Sequence, residues 1–91
     1  MNIGLVIGRI TSTKKDEQLT GTKLLITHPM DLDGELAGQP IVTVDTVGAG
    51  IGERVIYVTG SMASRAVRNN QAPIDAAIVG IIDNMEIDRG G

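Results

Sequence analysis

The chain contains no cysteine, no tryptophan and no phenylalanine, and it has only one tyrosine, Tyr57, and one histidine, His28. Without cysteine there is no disulfide, no thiolate metal site and no cysteine nucleophile. A single histidine among no thiols excludes the common zinc ligand sets, which draw on several His and Cys side chains. The scarcity of aromatics argues against another class. Proteins that hold single-stranded nucleic acid stack bases on aromatic rings inside a basic groove, whereas eight Lys and Arg stand here against eleven Asp and Glu, for a formal charge of −3. Nucleic acid is not an expected partner. Long apolar runs are missing too: the opening MNIGLVIGRI has no basic segment before it and is interrupted by Arg9. It reads as neither a signal peptide nor a membrane span. The expectation is a cytoplasmic protein with no membrane contact.

What is present is aliphatic. The 91 residues are 42% hydrophobic, almost all Ile, Val, Leu, Ala and Met. A domain of this size buries only about 60–70% of the surface of its unfolded chain. With so thin a core and no covalent or metal staple, burial is expected to be completed against other copies of the chain.

The pattern is β nearly throughout. Ile3, Leu5 and Ile7 alternate with Gly4, Val6 and Gly8, so one face of the first strand is bulky and the other is cut back to glycine. Glycine inside a strand marks a bend or a close backbone approach, the means by which a short barrel turns its corners. A second strand over 22–28 is expected to halt at Pro29, followed by a polar loop or irregular hairpin tip through Pro40. Further strands are expected over 41–47, 54–59 and 76–83. Only SMASRAVRNNQ, residues 61–71, reads as helical, with Ser61 as N-cap, a stripe of Ala63, Ala66 and Val67, and Asn69-Asn70 ending it before Pro73. Five or six short strands and one helix suggest a small closed or nearly closed barrel of the OB or SH3-like type, with a two-sheet sandwich as the alternative, and the fold expected is all-β, a small closed five-stranded OB-like barrel with one short helix. One domain over 1–88 and a short C-terminal tail over 89–91 are expected.

Several motifs invite a chemical reading. Asp31-Leu32-Asp33-Gly34-Glu35 has the acids of a calcium loop, but Leu36 and Val42 stand where an EF-hand needs its glycine and its bidentate glutamate. Gly60-Ser61-Met62 lacks the second glycine of a nucleophile elbow. His28 has no identifiable orienting partner or nucleophile, and Asp45 and Asp83 read as strand-end hydrogen-bonding groups rather than paired carboxylates. No enzyme constellation, metal site or cofactor motif results. The stretch GAGIGE puts Gly48, Gly50 and Gly52 at alternate positions, not at G-x-G-x-x-G spacing before a helix. The β-branched run after it shows that these glycines join strand to strand.

Four segments, in order, resemble the EutN/CcmL family of microcompartment vertex proteins: IGLVIG with TSTK, LTGTKLL, DTVGAGIGE and PIDAAIVGIID. The third and fourth match D-x-V-G-A-G-x-G-E and P-[VI]-D-A-A-I-V-G-I-[VI]-D. One segment departs: the family often shows G-S-[SA]-A-R after the fourth strand, and here Gly60-Ser61-Met62-Ala63-Ser64-Arg65 stands instead. The resemblance implies a non-enzymatic shell protein whose small barrels form pentamers. Such pentamers would close the vertices of a bacterial microcompartment tiled mainly by hexameric shell proteins. It further implies that Gly48, Ala49, Gly50, Ile51, Gly52 and Glu53 form a loop at the central pore and subunit interface, with Glu53 accepting hydrogen bonds across a subunit boundary. From the residues alone, an OB-type module binding an oligonucleotide or another ligand stays open as the alternative.

Overall fold

Short β-branched runs separated by glycine and proline become five strands and one helix among the described residues of the computed structural model, which are 1–13, 15–19, 21–67 and 74–88. The order is β1 (Asn2–Ile10), a 3-10 turn (Glu17–Leu19), β2 (Lys23–Met30), β3 (Ile41–Asp45), β4 (Arg54–Thr59), α1 (Ser61–Ala66) and β5 (Ala76–Ile81). The strands close into a barrel in the order β1-β2-β3-β5-β4. All pairings are antiparallel except β3 with β5, which is parallel. This is the expected five-stranded barrel, and its closure excludes the sandwich. Closure also removes the sheet edges that a short β-protein must otherwise protect. Thr20 of the second matched segment, Lys14 of the first, Asn69-Asn70, Pro73 and the expected tail at 89–91 lie outside the described residues.

Two apolar clusters hold the barrel. Inside it, Val6, Leu25, Ala49, Val55, Tyr57 and Ile78 pack together, with Ile41 and Ile81 against them. Outside it, α1 packs on β4 and β5 in a second cluster of Val44, Val58, Ala63, Ile74 and Ala77, joined by Ala66 and Val67. The stripe read on the helix is thus its buried face. Full burial of each large aliphatic such as Leu25 or Ile78 contributes about 1.5–3 kcal/mol. Two polar side chains also lie in the interior, Thr27 and Thr43. Thr43 donates to the Leu25 carbonyl at 3.1 Å, leaving Thr27 to donate to Thr43 at 2.9 Å. Both hydroxyls are thereby satisfied, which removes the cost of burying them.

Gly4 and Val6 face the barrel interior, but Gly8, past a register shift, faces outward against the Ile26 side chain, so the two glycines do not share one face as the alternation suggested. A Cβ at Gly4 would stand 2.6 Å from the Thr27 methyl, 2.9 Å from the His28 carbonyl oxygen and 3.2 Å from the Tyr57 ring. The one aromatic ring of the chain therefore closes over a residue that has no side chain. A register shift between Val6 and Gly8 then bends β1 around the barrel. The bulky residues Ile3 and Leu5 face outward and are half-buried, and Ile7 is exposed.

Two local expectations are corrected. β2 does not halt at Pro29 but runs through it to Met30, with Pro29 opposite Gly4. The Pro29 carbonyl accepts from Ala37 on the side beyond the end of β3, so the missing N–H faces a place where no strand asks for a donor. At the helix, the N-cap is Gly60, with φ 67° and ψ −146°, and no side chain caps the helix. Ser61 is the first helical residue, because the chain turns out of β4 through a backbone conformation that suits glycine.

Candidate functional site

The stretch from Asp45 to Arg54 is the connection from β3 to β4, and it is fastened to the barrel at each stage. At its start the Asp45 carboxylate, only 2% exposed, accepts from the amides of Val47 at 3.0 Å and Gly48 at 3.2 Å. Its other oxygen lies 3.4 Å from Lys23 Nζ. Lys23 reaches further and donates to the Ala49 carbonyl. Thr46 donates to the Ile78 carbonyl through its hydroxyl, at 2.7 Å, and through its amide, at 3.3 Å.

Ala49 is the anchor of the loop. Its methyl is fully buried in the interior cluster beside Val6, Leu25 and Ile78. The following residues turn back on themselves: the Gly50 amide donates to Glu53 Oε1 at 2.7 Å, and the Glu53 amide donates to the Gly50 carbonyl at 3.1 Å. Gly52 and Glu53 then pair with β1, the Gly52 amide donating to the Val6 carbonyl at 2.8 Å and the Val6 amide to the Glu53 carbonyl at 3.0 Å. Gly48 and Gly52 have φ of +83° and +93°, where an L side chain costs about 1–2 kcal/mol. Gly50 is different. It lies outside that region, and a Cβ there would meet only Glu53 Oε1, at 3.5 Å.

The loop has two faces as a result. Inward it presents Ala49 and the hydrogen-bonded carboxylates of Asp45 and Glu53. Outward it shows Val47, 40% exposed, and Ile51, 61% exposed, between exposed glycines. A phosphate cradle needs several free backbone N–H groups, but the amides of Val47, Gly48, Gly50 and Gly52 are all taken by the chain itself. Glu53 is engaged within its own subunit through Oε1.

The structure keeps the six loop residues Gly48 to Glu53 together and adds two that the motif reading did not assign to the site, Lys23 and Asp45. Asp45 was legible as a strand-end acceptor. Lys23 was signalled only by being the one charge in the aliphatic run of LTGTKLL. Elsewhere, Asp31 is spent on its own turn, its Oδ1 accepting from Asp33 at 2.9 Å and Glu35 at 3.0 Å. His28 Nε2 lies 3.2 Å from the Gly38 carbonyl oxygen.

A closed OB-type barrel whose glycine-rich β3–β4 loop is anchored by the buried Ala49 defines the class of protein. The family described as "Ethanolamine utilisation protein EutN/carboxysome" matches residues 1–83. The chain belongs to the EutN/CcmL family. It is 46% identical over 86 residues to the bacterial microcompartment shell vertex protein GrpN of Rhodospirillum rubrum, covering 94% of this chain and 97% of the relative. It is 43% identical over 89 residues to the carboxysome shell vertex protein CcmL of Thermosynechococcus vestitus, covering 98% and 90%. The solved structure of the GrpN pentameric microcompartment shell protein from Rhodospirillum rubrum superposes with a TM-score of 0.88 at 45% identity, covering 97% of this chain and all of that one.

Proposed function

We propose that this chain is a vertex protein of a bacterial microcompartment shell in the cytoplasm, five copies forming a ring that closes a corner. The observation that carries this reading is the whole-length likeness to the pentameric GrpN shell protein, supported by relatives named as vertex proteins of two kinds of shell. A sheet tiled by hexameric proteins is flat, and five-fold points supply the curvature that closes it. Hexameric shell proteins are therefore the partners of the ring. The role is structural rather than enzymatic.

The β3–β4 loop, Gly48 to Glu53, lies around the central opening of the ring in this reading. What supports it is the loop's division of labour: its charged groups are consumed within the subunit, while Val47, Ile51 and the bare backbone of three glycines are offered outward. Three glycines allow neighbouring backbones to approach where side chains would collide. The OB-type nucleic-acid reading is not favoured, since Tyr57 is 4% exposed, packed in the barrel interior, and offers no ring for a base to stack on.

Native mass spectrometry of the purified chain tests the proposal, and a five-subunit species is expected. A monomer persisting at micromolar concentration overturns it, and a hexamer removes the vertex role while leaving the fold intact. Coexpression with a hexameric shell protein is expected to convert open sheets into closed shells.

A further inference from the structure

The outer wall of the barrel that α1 leaves uncovered carries a groove of about 530 Å³ near the start of β1 and the end of β2. Its floor is a cross-strand row of Met30, Ile3 and Ile56, paired in register across β2, β1 and β4. Leu32, 62% exposed, stands at the rim. The nearby Asp31 directs its carboxylate onto the amides of Asp33 and Glu35, so the groove is apolar in character despite the acidic turn beside it.

A segment of the same chain matches this groove. Residues 84–88 read Asn-Met-Glu-Ile-Asp, so Met85 and Ile87 alternate with three polar residues, the period of an extended segment with one apolar edge. Asn84 Nδ2 bonds Glu86 Oε1 at 3.4 Å, which sets those two polar side chains on one edge. Ile87 is 42% exposed. The chain's own groove lies behind this segment. Ile81 stands opposite Val55, and the Ile82 amide donates to the Arg54 carbonyl at 2.8 Å. Because β5 runs antiparallel to β4, the chain has by then passed Ile56 and Tyr57 and leaves beyond the Leu5–Arg54 row, heading away from the groove.

We propose that residues 84–88 of one subunit seat in this groove of the next, with Met85 and Ile87 against Met30, Ile3 and Ile56. The proposal rests on the ring described above and adds its linkage. Tail and groove are different surfaces, so each subunit gives its tail to one neighbour and its groove to the other. Such a heterologous contact closes into a ring when its rotation divides the circle evenly. Glu86 and Asp88, on the opposite edge of the segment, face solvent in this arrangement.

The absence of cysteine makes the test clean, because introduced thiols are the only ones present. A chain carrying both Leu32→Cys and Ile87→Cys is oxidised mildly and run on a denaturing gel without reductant. A ladder from dimer up to a five-membered species is expected, with each single-cysteine variant giving no more than dimer. Monomer alone on the gel, while native mass spectrometry shows the oxidised protein to be a five-subunit ring, overturns the linkage and leaves the ring standing. A faster-running monomer, the mark of a bond within one chain, overturns it as well. An unsubstituted chain that is not a five-subunit species overturns the ring and the linkage with it. The single variant Ile87→Asp supplies an independent reading: dissociation is expected at protein concentrations at least tenfold higher than for the parent, with unchanged far-ultraviolet circular dichroism. A ring as resistant to dilution as the parent's overturns the proposal.

Discussion

Replacing Gly50 by valine is expected to spare the barrel and weaken the ring, and Gly52→Ala is expected to do the reverse. Within the subunit a Cβ at Gly50 meets only Glu53 Oε1, at 3.5 Å, an ordinary contact, and its φ is not in the left-handed region. Gly50→Ala should therefore be neutral or stabilise the chain by about 0.4–1 kcal/mol, through the lower entropy of its unfolded state. At Gly52 the φ of +93° makes the same change cost about 1–2 kcal/mol in the subunit itself. If neighbouring loops crowd the five-fold axis, overpacking by valine at position 50 costs about 1–3 kcal/mol at each contact. Five repeats at the lower value make about 5 kcal/mol, more than a thousand-fold on ring formation. Native mass spectrometry along a dilution series reads the ring, and thermal unfolding at fixed concentration reads the fold, since the two are linked by mass action. A Gly50→Val protein that stays fully pentameric on dilution and still closes shells would refute crowding at this loop. A Gly50→Ala protein that melts as early as Gly52→Ala would show instead that the fold itself requires glycine there.

Three further outcomes follow from the geometry. Lys23→Met removes the donor to the Ala49 carbonyl and the partner of Asp45; with Lys23's side chain 38% exposed, the loss is about 1 kcal/mol. Faster hydrogen exchange is expected at the Gly50 and Gly52 amides, with strand amides unchanged, and equal protection of the loop would refute the latch. Tyr57 has its pKa raised above the ordinary value by burial, so its stabilising contribution is whole below about pH 10 and is lost as pH rises through the folded value. As the chain has one tyrosine, tyrosinate absorbance reports this group alone; its midpoint should lie higher in the folded protein than in urea, and coincidence of the two would refute the burial argument. Gly4→Ala forces a Cβ to 2.6 Å from the Thr27 methyl and 2.9 Å from the His28 carbonyl, and the melting temperature should fall by the equivalent of about 1–3 kcal/mol; an unchanged melting temperature would show that the interior has slack.

The strands were legible because their signal is local. Alternation, β-branching and glycine punctuation place β1, β2, β3, β4 and β5 to within a few residues, and five short strands with one helix leave few ways to close. The failures share a different cause. Whether Pro29 ends a strand depends on what stands opposite its missing N–H, and that is decided by β3 beginning only at Ile41, opposite Thr27. The cap at Gly60 rather than Ser61 depends on how sharply the chain must leave β4 to lay α1 over the sheet. GAGIGE was legible as a strand-to-strand connection, and the resemblance marked it for assembly. Its fastening was not legible, because Lys23 and Ala49 are 26 residues apart and meet only once the barrel has formed.

That fastening bears on how a ring of such subunits assembles. A loop that became ordered only on meeting its neighbours would lose backbone entropy at that moment, about 1–2 kcal/mol for each residue fixed, and the loss would count against association. Here the loop is ordered by its own subunit: Asp45 holds its entry, Lys23 and the buried Ala49 hold its middle, and the pairing of Gly52 and Glu53 with Val6 holds its exit. Val47 and Ile51 are left exposed on a backbone already set. In the proposed ring the subunit would meet its neighbours with this surface preformed, and the free energy of association would not be spent on shaping it. The same reasoning gives Lys23→Met a second consequence. Loosening the latch returns the ordering cost to the assembly step, so the variant ring should dissociate at higher protein concentration than the parent although Lys23 itself need touch no neighbour. Equal dissociation of the two rings on dilution would show that neighbouring subunits, and not the barrel, impose the shape of the loop.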